Sequence, residues 1–223
     1  SQLFTFLALP ALALLMTLLF SHCGSDRGTA KRVILIGIDG MGVSGFQQAR
    51  TPHLDALVRM GALSLKTRSV MPSVSGPNWG SHLLGARPEQ HGITYNGWTM
   101  DNHTLDPVIT DADGYFPSLF NVIRDQMPKA KTAFFYDRKA LADLYNVSLI
   151  DQVEFSKGYE ATLDKAVPWI IENKPDFTFL YFGHPDEVGH AHQWGSKDYI
   201  KALEDVDSAL GAFFDALREA GMF

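Results

Sequence analysis

The chain has 223 residues, a single cysteine, 19 Lys plus Arg against 25 Asp plus Glu, and a formal net charge of -6. With 46% hydrophobic and 20% charged residues it is too apolar for a disordered chain. One cysteine excludes an internal disulfide and a zinc site built on several thiolates. The mild negative balance argues against a nucleic-acid polymer as partner. The length allows one domain of roughly 200 residues.

Residues Leu3 to Phe20 carry no charge and precede the polar stretch Gly24 to Lys31. An apolar run before a polar linker reads as a secretory signal, here residues 1–22, followed by a linker at 23–32. The sequence starts at Ser1 with no basic leader, so its start is expected to be missing. Phe20-Ser21-His22-Cys23 resembles a bacterial lipoprotein cleavage box, with His22 departing from the small residue usual there. The expectation is an exported protein, a periplasmic or outer-membrane (cell-surface) lipoprotein of a bacterium, attached to the membrane through lipidated Cys23. An uncleaved anchor, or ordinary cleavage leaving a free thiol, are the alternatives.

Val33 to Ile38 (VILIGI) is a continuous apolar run that suits a strand buried on both faces. Thr51 as N-cap, Pro52 at the first helical position and Gly61 as terminator predict a helix between them. Leu63 to Val70 alternates weakly and predicts a strand. Thr94 to Tyr115, rich in Asp, Asn, Gly and Thr, predicts a long functional loop. Helix is predicted at Pro117 to Gln126, strand at Thr132 to Tyr136, helix at Tyr159 to Asn173 with a kink at Pro168, and strand at Phe177 to Phe182. Ser196 to Ala220 carries apolar residues at helical spacing, from Ile200 to Leu217. Strands alternating with helices predict an α/β fold around a mostly parallel sheet.

In such sheets ligands gather at the carboxyl ends of strands. Asp39 follows VILIGI and Asp186 follows FTFLYFG. Asp39 lies between glycines, which permit a tight turn; a turn-capping carboxylate is the competing reading. Gly183 to His192 (GHPDEVGHAH) packs three histidines and two carboxylates into ten positions. Asp186 and His190 stand four apart, so one helical turn or a compact loop can aim both at one cation, and carboxylate with imidazole suits zinc. His184 and His192 fit an outer shell, the substrate side or solvent. In Pro72 to Gly85, Pro77 reads as the first residue of a helix. Ser75 then stands at a helix N-terminus, where an anion is favoured. There it reads as an N-cap or, beside a metal, as a nucleophile.

Together these segments resemble the alkaline phosphatase superfamily, in particular its nucleotide pyrophosphatase/phosphodiesterase (type I phosphodiesterase) branch. The resemblance runs from Val33 to the C-terminus. It rests on Asp39 after the first strand, on Thr51-Pro52-His53-Leu54-Asp55-Ala56-Leu57, and on Pro72 to Asn78 followed by Gly85. It continues through Pro88-Glu89-Gln90-His91-Gly92-Ile93 with Asn96, and Pro185-Asp186-Glu187-Val188-Gly189-His190. Trp79 stands where a His is common, and reads as a packing change or a pocket wall.

The resemblance implies an alkaline-phosphatase-like three-layer sandwich and a hydrolase of phosphate esters, phosphodiester or pyrophosphate, working through a phosphoserine. It implies two zinc ions. Asp39 and the nucleophile Ser75 would hold one, and Asp186 and His190 the other. Asn96 and the Gly76 backbone would hold phosphoryl oxygens. A phosphomonoesterase, phosphonate hydrolase or sulfatase of the same superfamily competes with this, as does a non-catalytic binding lipoprotein. Ser75-Gly76-Pro77-Asn78-Trp79 lacks the arginine of the main sulfatase motif. The Asp-His pair that completes the family's site occurs nowhere in the chain. The expectation is therefore that 33–223 is the N-terminal part of a larger catalytic domain, with an incomplete sheet, and that this fragment alone is inactive and holds zinc weakly. Trp98, Tyr115 and Phe116 read as base-stacking or as packed against the domain.

Overall fold

The computed structural model describes residues 30–223. The expected signal segment, Cys23 and most of the linker lie outside the described residues. Among the described residues no helix is long and apolar enough to cross a membrane.

Residues from Arg32 onward form one compact unit around a four-stranded sheet. The strands are β1 (Val33–Ile38), β2 (Thr132–Tyr136), β3 (Gln152–Phe155) and β4 (Phe177–Phe182), in the order β1-β4-β2-β3. Every pairing is parallel. Three of these strands have the bounds read from their apolar runs. β3 escaped that reading because QVEF is short and only half-buried.

Side chains of a strand alternate between faces, and here the alternation divides the core in two. Phe134, Tyr136, Phe177, Phe179 and Tyr181 point into one cluster. Ala133, Phe135, Leu180 and Phe182 point into the other. Helix α6 (Tyr159–Asn173) and helix α8 (Lys197–Glu219) cover the second face through Leu163, Ala166, Ile170, Val206, Leu210, Phe213, Phe214 and Leu217. The first face is covered by helix α3 (Ser75–Leu84) and helix α5 (Leu119–Gln126), with Trp98, Leu141, Leu144 and Tyr145 between them. The result is the expected three-layer α/β sandwich.

β1 is not buried on both faces as its apolar run suggested. Its only partner among the described residues is β4. Ile34, Ile36 and Ile38 pack onto the second cluster, whereas Val33 and Leu35 on the other face are exposed.

Other expectations are corrected. Leu63 to Val70 forms no strand; it is irregular and mostly exposed. It pairs with none of the four strands, so its backbone groups stay with solvent and local turns. Pro77 is the third residue of α3, because Val74 is the N-cap. α6 keeps the bounds read for it, with Pro168 inside the helix. Two short helices went unread: α1 (Val43–Gln48) and α4 (Pro88–His91).

Helix α2 (Pro52–Met60) starts at Thr51 and ends at Gly61 as predicted, but Thr51 makes no side-chain cap. The capping carboxylate comes from α8. Buried Asp207 accepts the N–H groups of His53 at 3.2 Å and Leu54 at 2.8 Å. Free N–H groups of a first helical turn need such acceptors. The Thr94 to Tyr115 loop is held in a comparable way. Asp111 Oδ2 accepts from Asn121 at 3.0 Å and Asn146 at 2.9 Å, while its Oδ1 accepts the N–H groups of Asp113 and Tyr115. Partial burial alone would raise its carboxyl pKa, but these donors outweigh burial and hold it below the usual range.

Candidate active site

Asp39 is the first residue past β1, and its N–H donates to Phe182 O at 2.9 Å, extending the β1–β4 ladder by one bond. Gly40 then turns the chain with φ +73°. A Cβ on Gly40 would lie 2.6 Å from Asp186 Cα. Glycine at this one position lets the β1 turn approach helix α7 (His184–His192), which carries Asp186 in its first turn.

Ser75, the first residue of α3, does not cap the helix. Its hydroxyl donates to Asp39 Oδ2 at 2.8 Å. The loop before it is clamped by Asn78, whose Nδ2 reaches Val70, Pro72 and Val74 carbonyls and whose Oδ1 accepts the Val70 N–H at 2.8 Å. The same Asp39 oxygen accepts the Tyr181 hydroxyl at 2.5 Å. Burial, then the negative charge of Asp39, pushes the Tyr181 pKa far up, so it acts as a proton donor to the carboxylate.

Arg138, two residues past β2, enters this cluster. Its Nη1 lies 3.2 Å from Ser75 Oγ, 3.5 Å from Asp39 Oδ2 and 3.3 Å from Asp186 Oδ2. On the far side, His190 Nε2 is 3.5 Å from Asp186 Oδ1, one helical turn away. Burial and then the Asp39 charge raise the Asp186 pKa, opposed by His190 and Arg138. Four of the residues read from sequence, Asp39, Ser75, Asp186 and His190, are thus adjacent. All four, with Asn96 and Arg138, line one open cleft of about 1270 Å³.

Asn96 is fixed by accepting the Gly76 N–H through Oδ1 at 2.7 Å. The Gly76 N–H, expected to face a phosphoryl oxygen, is therefore committed to Asn96. Gly76 serves the site by close approach, since a Cβ there would lie 2.8 Å from Tyr95 O. Trp79 packs over Gly37 of β1 and edge-on to Tyr181 at 5.0 Å and also lines the cleft, so it serves both as packing and as pocket wall. His184 stacks against Tyr159 and His192 pairs with Asp198, so neither joins the cluster. Trp98 is buried against His103, Phe116 packs on His91, and Tyr115 packs against the first core. Of the two readings of these aromatics, packing is the one realised.

His91, in the Pro88 to Ile93 segment, is buried and accepts the Ile93 N–H at Nδ1, so its proton sits on Nε2 and donates to Ser81 Oγ at 3.0 Å. Burial lowers its pKa to about 4. Arg138, Tyr181 and the neighbouring Asp137 were not read as site residues. The available signal was their place at the carboxyl ends of β2 and β4, where Asp137 accepts the Gly183 N–H at 2.8 Å.

Carboxylate oxygens of Asp39 and Asp186 converge on one guanidinium nitrogen, so the arrangement is built around positive charge. Carboxylate, hydroxyl and imidazole donors fit a divalent metal of the zinc type. Asp39 with Ser75, and Asp186 with His190, each offer two donors. Among the described residues no three His, Cys, Asp or Glu gather to hold one ion.

The fold and sequence have relatives. Mouse ectonucleotide pyrophosphatase/phosphodiesterase family member 1 is 26% identical over 191 residues, covering 77% of this chain and 20% of its own length. Bovine bis(5'-adenosyl)-triphosphatase is 24% identical over 230 residues, covering 94% and 50%. The chain thus spans half or less of the length of these two relatives. Murine ectonucleotide pyrophosphatase/phosphodiesterase 5, solved as an inactive variant in complex with AMP, superposes with a TM-score of 0.70 at 20% identity, over 86% of this chain and 54% of that one. Phosphonoacetate hydrolase from Sinorhizobium meliloti superposes with a TM-score of 0.59 at 19% identity, over 84% and 54%. Residues 33–223 match the family model of type I phosphodiesterase / nucleotide pyrophosphatase, and the chain belongs to that family.

Proposed function

We propose that the protein hydrolyses phosphate esters, phosphodiester or pyrophosphate, through a covalent phosphoserine on Ser75. The observation that carries this is the Ser75 hydroxyl donating to Asp39 Oδ2 at 2.8 Å at the mouth of the cleft. A serine with a carboxylate acceptor for its proton and a cation 3.2 Å from its oxygen has the parts of an activated nucleophile. Ser75 Oγ gives its proton toward Asp39 and attacks phosphorus in line. An O–P bond forms as the bond to the leaving oxygen breaks. Water then hydrolyses the phosphoserine and restores Ser75. Asn96 Nδ2, and not the Gly76 N–H, is the neutral donor for a phosphoryl oxygen. Tyr181 holds Asp39 in one orientation.

Zinc, held by Asp39 and Ser75 and by Asp186 and His190, would lower the pKa of the serine hydroxyl and neutralise charge on the leaving oxygen. The substrate class is a small phosphate ester, in line with the AMP bound by the murine neighbour. The test is Ser75→Ala in the full-length protein, assayed on a nitrophenyl phosphodiester and a nitrophenyl phosphomonoester, with metal content measured in parallel. The expected result is loss of turnover with metal partly retained. Near-normal turnover in that variant would overturn the assignment.

A further inference from the structure

Resting on the phosphoryl-transfer reading, we propose that Arg138 is a catalytic residue. The free edge of its guanidinium would hold the non-bridging oxygens of the phosphoryl group that Ser75 attacks. A guanidinium carries five N–H donors in a planar fork. Here one nitrogen, Nη1, faces Ser75, Asp39 and Asp186. Among the described residues, Nε and Nη2 make no hydrogen bond by geometry, and the Tyr181 hydroxyl is the other polar group beside the guanidinium. The side chain is one-third exposed, at 34%, and lines the cleft beside Ser75 and a smaller hollow beside His190. A purely structural arginine spends its donors on protein acceptors; this one lines the cleft with Nε and Nη2, three of its five N–H donors, unbonded among the described residues.

Position and charge support the same role. A phosphorus within reach of Ser75 Oγ brings its oxygens within hydrogen-bond range of a group 3.2 Å from that atom. Arg138 is the cationic side chain within 3.5 Å of both Asp39 and Asp186, so the donor that reaches the phosphoryl group also carries positive charge to it. Asn96 approaches from α3's side, with Oδ1 fixed by Gly76 and Nδ2 unbonded among the described residues. Charged and neutral donors then flank the nucleophile, and bidentate arginine–phosphate pairing gives both energy and orientation.

The test measures binding of inorganic phosphate, AMP and adenosine to the full-length protein by calorimetry, for wild type, Arg138→Met and Arg138→Lys. Zinc content and melting temperature are recorded for each. Arg138→Met is expected to weaken phosphate and AMP binding by about tenfold or more and to leave adenosine unchanged. Arg138→Lys keeps the charge between the carboxylates but loses the fork. It is expected to keep the wild-type melting temperature and zinc content while weakening phosphate about threefold or more. Phosphate affinity within twofold of wild type in a folded Arg138→Met, or in Arg138→Lys should Arg138→Met fail to fold, would overturn the proposal and leave Arg138 a counter-charge for Asp39 and Asp186. Phosphate binding requires no turnover. An active Ser75→Ala would therefore sink the phosphoserine reading without touching this result, and the converse outcome would sink only the role of Arg138.

Discussion

The Tyr181 hydroxyl reaches across from β4 and donates to Asp39 Oδ2 at 2.5 Å, on the same oxygen that accepts from Ser75. Tyr181 is fully buried, so the bond forms in a low-dielectric setting and its partner is a carboxylate. Bonds to charged groups contribute about 1.5–3 kcal/mol. Tyr181→Phe is expected to cost about 2 kcal/mol in urea unfolding and to lower kcat more than it raises KM, because Asp39 loses its orientation. Unchanged stability and kcat would show that Ser75, Arg138 and the Gly40 N–H, which donates to Asp39 Oδ1 at 3.0 Å, suffice to hold Asp39.

Gly40 and Gly85 both have positive φ, +73° and +61°, but only Gly40 meets backbone, at 2.6 Å from Asp186 Cα for an added Cβ. Gly85 is left-handed with open space beside it, so Gly85→Ala is expected to cost about 1 kcal/mol, the conformational term alone. Gly40→Ala adds a contact that can be relieved only by moving α7, so its cost should exceed that of Gly85→Ala by at least about 1–2 kcal/mol. Equal costs would mean that the approach of the two turns is not tightly set.

Asp207 caps α2 from another helix. Asp207→Ala leaves the N–H groups of His53 and Leu54 without their acceptor and is expected to cost about 2–3 kcal/mol. Asp207→Asn keeps one acceptor oxygen and should cost less. Hydrogen exchange at His53 and Leu54 should rise in the alanine variant before global unfolding does.

Two groups tilt the stability curve in opposite directions with pH. His91 titrates near 4 when folded against 6.5 unfolded. Between these values the unfolded chain binds more protons, so stability is full above 6.5 and is lost as pH falls toward 4, by up to about 3 kcal/mol. His91→Gln keeps an acceptor for Ile93 and a donor for Ser81, so it should flatten that limb. Asp137 is raised to about 7, by burial first and then by Glu187. The folded protein holds its proton from about pH 4 to 7 while the unfolded chain releases it, so stability falls as pH rises through that window. Asp137→Asn keeps the acceptor for the Gly183 N–H and is expected to be about 2 kcal/mol more stable than wild type at pH 8 and equal at pH 3. Urea melts of both variants at pH 4, 6 and 8 check the two slopes.

For residues 32–223 taken alone, zinc titration against a chelator is expected to show weak binding. Asp39 with Ser75 and Asp186 with His190 supply two donors each, and protein zinc sites use three or four. Tight stoichiometric binding would contradict this.

β1, β2 and β4 could be read directly because a continuous apolar run bounded by turn residues has few other stable outcomes in a parallel sheet. Helices α2, α6 and α8 carried apolar periodicity, with Pro52 and Gly61 bounding α2 and Ser196 capping α8, and the site candidates Asp39, Ser75, Asp186 and His190 carried spacing and residue type. What stayed hidden depends on contacts between segments distant in the chain. Leu63 to Val70 has strand-like alternation, but no sheet edge receives it. VILIGI looks doubly buried, yet Val33 and Leu35 face open space because nothing described covers that side of β1. The α2 cap lies in α8, about 150 residues away in sequence. Arg138 belongs to no motif and enters the site only because parallel pairing of β2 with β4 brings its turn beside Asp39 and Asp186. Local chemistry and periodicity are written residue by residue, so the sequence alone determined the layered α/β class and the serine–carboxylate pair Ser75 and Asp39. The charge that faces them, and which N–H groups remain free to meet a substrate, were decided by tertiary packing, since proximity across the sheet has no local signature.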